Sequence, residues 1–212
     1  MRSRINWIDN AKAIGIFLVF YGHYVEYIWR QTNSDVAYFH FKVIYSFHMP
    51  FFFMISGFFL KNYNITEKVK KLFLQRMLPV YSFAIFTLPI WIIFSFRYGD
   101  SINNIFLKCI SYIGGIPSLN FMTWFLVCLF TAEVLISFIG IKKNKNINLF
   151  LGIFLIIVGC YFCDNYSKIE ELTKIYKNFW YINEAVVAAG FCYLGNYIYE
   201  NIQKIGTERK LV

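Results

Sequence analysis

The first predicted helix of the chain carries an imidazole, two carboxylates and an ammonium on one face. Lys12 and His23 are eleven positions apart, close to three whole helical turns. They therefore share one stripe of a helix, about 16 Å apart along its axis. Asp9, Gly15, Val19, Gly22 and Glu26 fall near the same stripe at about 100° per residue. One end of the face holds Asp9 and Lys12; the other holds His23, with Glu26 one turn beyond. A histidine with a carboxylate at i+3 has the parts of a general base, because the carboxylate can hold the ring in one tautomer while the ring takes a hydroxyl proton. Gly15 and Gly22 leave room for another helix or a ligand to approach the backbone closely.

The element that positions this stripe belongs in a membrane. Of 212 residues, 58% are apolar, 22% aromatic and 16% charged, whereas a soluble domain has roughly 45–50% apolar and about 25% charged residues. Mean hydropathy is +0.48. Such a surface cannot be covered for water, and the composition excludes disorder, collagen, coiled coil and a disulfide scaffold. A spanning helix needs about 20 apolar residues. Six segments qualify: Ala11 to Trp29, Val43 to Leu60, Met77 to Phe96, Phe121 to Ile141, Ile147 to Cys163 and Phe179 to Tyr199. The first is retained rather than cleaved as a signal peptide, since it contains His23 and Glu26 and no small-x-small site follows. Ile105 to Ile113 is too short to span and ends at the turn Gly114-Gly115-Ile116-Pro117. The expected fold is all-α, a polytopic membrane bundle of about six transmembrane helices in a single domain, 1–212.

Basic residues fix the orientation. Lys61, Lys68, Lys70, Lys71 and Arg76 follow the second segment, Lys142, Lys143 and Lys145 the fourth, and Lys204, Arg209 and Lys210 the sixth. Cytoplasmic loops retain Lys and Arg, which places both termini in the cytoplasm. The opposite loop balances Lys168 and Lys174 with Glu170 and Glu171. The net charge of +9 thus has a topological origin, and nucleic acid is excluded as a partner because no basic–aromatic platform remains outside the helices.

An ionisable residue within a span costs roughly 2.5–3.5 kcal/mol at its centre on insertion scales, so each is a functional candidate. His48-Met49-Pro50 lies in the outer third of the second segment, at the start of its helix. With antiparallel helices its imidazole meets His23 at similar depth. Ser56-Gly57 reads as a packing contact. Glu133 is a further acid within a span with no partner readable from the sequence, and Asn183-Glu184 lies near a solvated helix end. Cys160-x-x-Cys163 lacks a second pair or nearby His, so no metal site is expected and the cysteines count as small apolar residues.

The stretch Trp7-Ile8-Asp9-Asn10-Ala11-Lys12-Ala13-Ile14-Gly15, continuing to Gly22-His23, resembles the opening of the acyltransferase-3 family, and more closely its fucose 4-O-acetylase-like branch. That family opens on W-x-D-x-x-[KR]-[AG]-x-[GA], with ten residues between the basic position and a His; Lys12 and His23 fit it. Phe47-His48-Met49-Pro50 through Ser56-Gly57, Arg76-Met77-Leu78-Pro79-Val80-Tyr81, Trp124-Phe125-Leu126 and Phe191 to Gly195 resemble four later family motifs, in order.

The resemblance implies a membrane-bound O-acyltransferase. It moves an acetyl or other acyl group from acyl-CoA on the cytoplasmic side of the plasma membrane to a hydroxyl of a cell-surface sugar, glycan or lipid-linked precursor. It gives His23 the catalytic role; His48 lies in the second family motif, and Glu26 joins them on its i+3 spacing alone. Lys12, Asp9 and Arg76 are the expected residues for acetyl-CoA, a cosubstrate. Family members usually have about ten spans, so the resemblance covers most of this chain but about two thirds of a usual member. The alternatives are a non-catalytic remnant lacking the last helices, or a small membrane transporter or scaffold that binds a solute or lipid; neither the paired broken helices nor the internal symmetry of many transporters is present in the sequence.

Overall fold

The computed structural model describes residues 5–61, 64–99, 101–167 and 178–208. The predicted loop residues Lys168, Glu170, Glu171 and Lys174, and Arg209 and Lys210 of the tail, lie outside them. Among the described residues the regular structure is entirely helical, in agreement with the all-α expectation. In chain order the helices are α1 (Asn6–Thr32), α2 (Asp35–Gly57), α3 (Ile65–Leu72), α4 (Leu78–Tyr98), α5 (Ile102–Ile110), α6 (Trp124–Ile139), α7 (Lys145–Asp164) and α8 (Ile182–Glu208). Six of these fall on the six predicted segments. Ile65–Tyr98, Phe121–Ile139 and Lys145–Asp164 are long and apolar enough to cross a membrane. Their outward residues include Phe86 at 80% exposure and Phe150 at 70%, which only lipid can cover cheaply. This is a membrane protein.

Two boundaries differ from the sequence reading, for the same reason. The second helix starts at Asp35, well before Val43. Asp35, His40 and Lys42 interrupt hydropathy but not helical geometry, and Ser34 caps the helix by accepting from the Ala37 N–H at 3.4 Å. His48-Met49-Pro50 is therefore inside α2 and not at its start. The basic stretch 61–76 is likewise no simple loop: α3 runs through the five-residue π turn Phe73–Met77 into α4. Pro79 cannot donate into the turn before it, and this wide turn, where Leu78 N–H reaches Phe73 O, stands directly ahead of it.

The chain divides into two compact units, Met1–Leu60 with Phe191–Val212, and Lys61–Gly190. The first is built on the hairpin of α1 and α2. Its corner is tight: Asn33 adopts a left-handed conformation (φ 51°), its N–H bonds Trp29 O at 2.8 Å, and Ser34 starts the next helix. In this unit α2 and α8 cross backbone to backbone. A Cβ on Gly57 would fall on the Cys192 carbonyl oxygen, and one on Gly195 on that of Met54. Ser56-Gly57 is thus a packing contact, as expected. Gly57→Ala should destabilise the protein by at least the roughly 1–3 kcal/mol of an overpacked core. An unchanged thermal midpoint in detergent would contradict the close crossing.

In the second unit, the most deeply buried stretch lies along α6 and the start of α8. Cys128, Ala132, Ile136, Ala188 and Ala189 are fully buried. α5 continues into a short 3-10 turn, Ser111–Gly114, and at about 13 Å is too short to cross a bilayer core, as predicted. The chain then reverses at Gly115 (φ +70°) against the Trp180 ring. The Ser111 and Ser118 hydroxyls, 2.7 Å apart, hold the turn closed.

Candidate functional site

Glycine spacing on α1 decides what the hairpin brings together. The space at Gly15 is filled by the rings of Phe51 and Phe52, and that at Gly22 by Ile44 and Tyr45. It is helix α2, not a ligand, that approaches the glycines. Register follows: with Gly22 under Tyr45, His23 meets Tyr45 and not His48.

Tyr45 is the hub of the site. Its hydroxyl donates to Glu26 Oε2 at 2.7 Å, and the Tyr45 hydroxyl oxygen also lies 2.9 Å from His23 Nδ1. The two rings stand edge-on, centroids 5.9 Å apart. On its other side the Tyr45 ring packs on His48 at 4.7 Å. Glu26 is held from behind by Arg30, whose Nε and Nη2 donate to Oε1 at 3.1 and 2.8 Å. His23 and Glu26 approach directly only to 3.5 Å.

The two histidines differ in access. The His23 side chain is 41% exposed, while His48 is 5% exposed and donates from Nδ1 to Ile44 O at 2.9 Å. That bond ties the ring to its own helix, on a carbonyl one turn back. His23 is open to an incoming group; His48 is a buried wall behind Tyr45.

Of the other predicted residues, Asp9 lies half-buried in the first turn of α1, where a carboxylate suits the helix dipole. Lys12 is half-buried, with its ammonium 5.1 Å over the Phe59 ring and no carboxylate paired with it among the described residues. The Phe58 ring beside it stacks on Tyr199 at 5.2 Å. Lys12 and His23 keep their predicted separation on one uninterrupted helix.

Arg76 belongs to the second unit, where its guanidinium grips Glu133. Nε donates to Oε2 at 3.1 Å and Nη2 to Oε1 at 3.0 Å. The side chains are 29% and 7% exposed. Lys68, 9% exposed, donates to Lys61 O at 3.3 Å, and the Glu133 charge also acts on it. Glu133, which had no partner readable from the sequence, is the counter-ion of a buried cationic pair.

Sequence reasoning thus placed His23, Glu26 and His48 in one cluster and missed the tyrosine that joins them. A signal was present: Tyr45 precedes His48 by three residues, on the same face of one helix.

The family model for an acyltransferase domain, acyltransferase-3, matches residues 5–211. The chain is also similar to "Nodulation protein NolL" of Mesorhizobium japonicum, 38% identical over 77 residues. That similarity covers 34% of this chain and 21% of the nodulation protein. No solved structure matches.

Proposed function

Because the chain belongs to the acyltransferase-3 family, we propose that it is an acyl-CoA-dependent O-acyltransferase, with acetyl-CoA as donor and a hydroxyl of a cell-surface sugar or lipid-linked glycan precursor as acceptor. The observation that carries this reading is the α1 stripe. It has an accessible imidazole at His23 and an ammonium at Lys12, about 16 Å apart on one rigid helix, a span that the pantetheine arm of coenzyme A can cover.

His23 takes the proton of the acceptor hydroxyl as the oxygen attacks the thioester carbonyl. The C–S bond then breaks, and the imidazolium returns the proton to the departing thiolate. Lys12 attracts the anionic donor, and Asp9 orders the helix end beside it. Arg76 is a weaker candidate for the donor than its charge suggests, because Glu133 already occupies its fork. Residues 1–212 act as one acyltransferase domain of the fucose 4-O-acetylase-like branch. It sits in the plasma membrane with both termini in the cytoplasm, the side on which Lys61, Lys68, Lys70, Lys71, Lys142, Lys143 and Lys145 gather.

The test is transfer of labelled acetyl from acetyl-CoA to lipid-linked glycan in membranes, at matched protein levels. Lys12→Glu is expected to raise the KM for acetyl-CoA about tenfold, or about 1.4 kcal/mol, while Lys168→Glu leaves it unchanged. No transfer by the parent protein, or equal effects of the two reversals, would overturn the assignment.

A further inference from the structure

We propose that Tyr45 is a positioning residue that sets the tautomer of His23, and that Glu26 acts on His23 through Tyr45 and not directly. The inference rests on the reading of His23 as the base, and adds to it the proton chain that makes Nε2 the basic nitrogen.

Counting protons gives the direction of each bond. A tyrosine hydroxyl has one hydrogen, and an ionised carboxylate only accepts. Glu26 is kept ionised by the two N–H groups of Arg30 on Oε1. The 2.7 Å bond from Tyr45 to Oε2 has the length of a charge-assisted O–H···O⁻ contact. That bond uses the only hydroxyl proton, so the Tyr45 oxygen has only lone pairs left for His23 Nδ1 at 2.9 Å. The neutral His23 ring must therefore carry its hydrogen on Nδ1. Nε2 is then the nitrogen with the free lone pair.

The direct path is too long to do the same. His23 Nδ1 and Glu26 Oε2 are 3.5 Å apart, beyond the usual range of an N–H···O bond. Packing fixes the tyrosine that bridges them. Its ring lies 4.2 Å from Phe41 and 4.7 Å from His48, centroid to centroid, and its edge fills the space over Gly22. When His23 takes up a proton, the chain leads the new charge to the Glu26 carboxylate without moving a heavy atom, a pre-organised arrangement.

The experiment is ring-nitrogen NMR of the full chain in detergent, with histidine labelled with ¹⁵N, at a pH where the rings are neutral. The chain has three histidines, and His23→Gln identifies the signal of interest. The parent protein is expected to show His23 as the Nδ1–H tautomer. Tyr45→Phe should lower the Nδ1–H share, while the signals of His40 and His48 report that the fold is kept. Glu26→Leu should convert His23 to Nε2–H, because the freed hydroxyl turns to donate to Nδ1. Nε2–H in the parent, or an Nδ1–H share in Tyr45→Phe equal to the parent's, would overturn the inference. In the transfer assay Tyr45→Phe is expected to lower kcat about tenfold, a fraction of what loss of a base costs, with the KM for acetyl-CoA unchanged. A parent with Nδ1–H at His23 and no transfer would sink the acyltransferase reading and support the relay; transfer with Nε2–H at His23 would do the reverse.

Discussion

His23→Ala is expected to lower acyl transfer on the order of 10²–10⁴-fold while the protein still inserts and folds. Removing a general base costs about that much. The ring contributes little to the core: its side chain is 41% exposed, and the hairpin is held by the Gly15 and Gly22 contacts and the Asn33 corner. Glu26→Gln should have a smaller effect. A glutamine oxygen can still accept from Tyr45, so the tautomer survives and only the charge that steadies the imidazolium is lost. His48→Ala should fall between them. Its removal opens a cavity behind Tyr45, where the His48 ring packs at 4.7 Å, so the base remains while its support loosens. The assay is labelled acetyl transfer in membranes with expression matched by immunoblot. Parent-like turnover in His23→Ala would remove the imidazole from the mechanism.

The residues of the cluster are not equally visible in the sequence. Lys12, His23 and Glu26 were legible because each is an ionisable side chain in an apolar run, where desolvation makes it costly. Tyr45 was not. In a chain that is 22% aromatic, one more tyrosine on an apolar helix looks like packing, and only the hairpin register brings its oxygen between the imidazole and the carboxylate. Periodicity similarly identified the six long helices but misplaced the start of α2 and the character of 61–76. Charged and polar residues lower local hydropathy without breaking a helix, as Asp35, His40 and Lys42 show, and Lys70 and Lys71 likewise. Glu133 had the opposite fate. It was plainly anomalous in sequence, but its partner lies 57 residues away, a separation no periodicity reaches.

Glu133→Ala is the substitution expected to cost most in stability, about 3–5 kcal/mol, the range for breaking a buried ion pair from one side. The contrast with Arg30–Glu26 sets the scale. There the Arg30 side chain is 65% exposed, and an exposed i,i+4 pair contributes only about 0.3–0.5 kcal/mol. At Glu133 the carboxylate is 7% exposed and the guanidinium 29%, with the buried Lys68 ammonium also within reach of the Glu133 charge. Removing the one anion strands two cations. Replacing both members of the pair, as Arg76→Met with Glu133→Leu, should recover most of the loss, because the desolvation cost of the charges disappears with them. Thermal unfolding in detergent measures all three proteins, and a Glu133→Ala midpoint equal to the parent's would deny the pair its structural role. The double variant then separates two jobs that Arg76 cannot show alone. If it folds and keeps the parent's KM for acetyl-CoA, Arg76 serves only as the counter-ion of Glu133. If it folds but its KM rises as in Lys12→Glu, the guanidinium also contacts the donor.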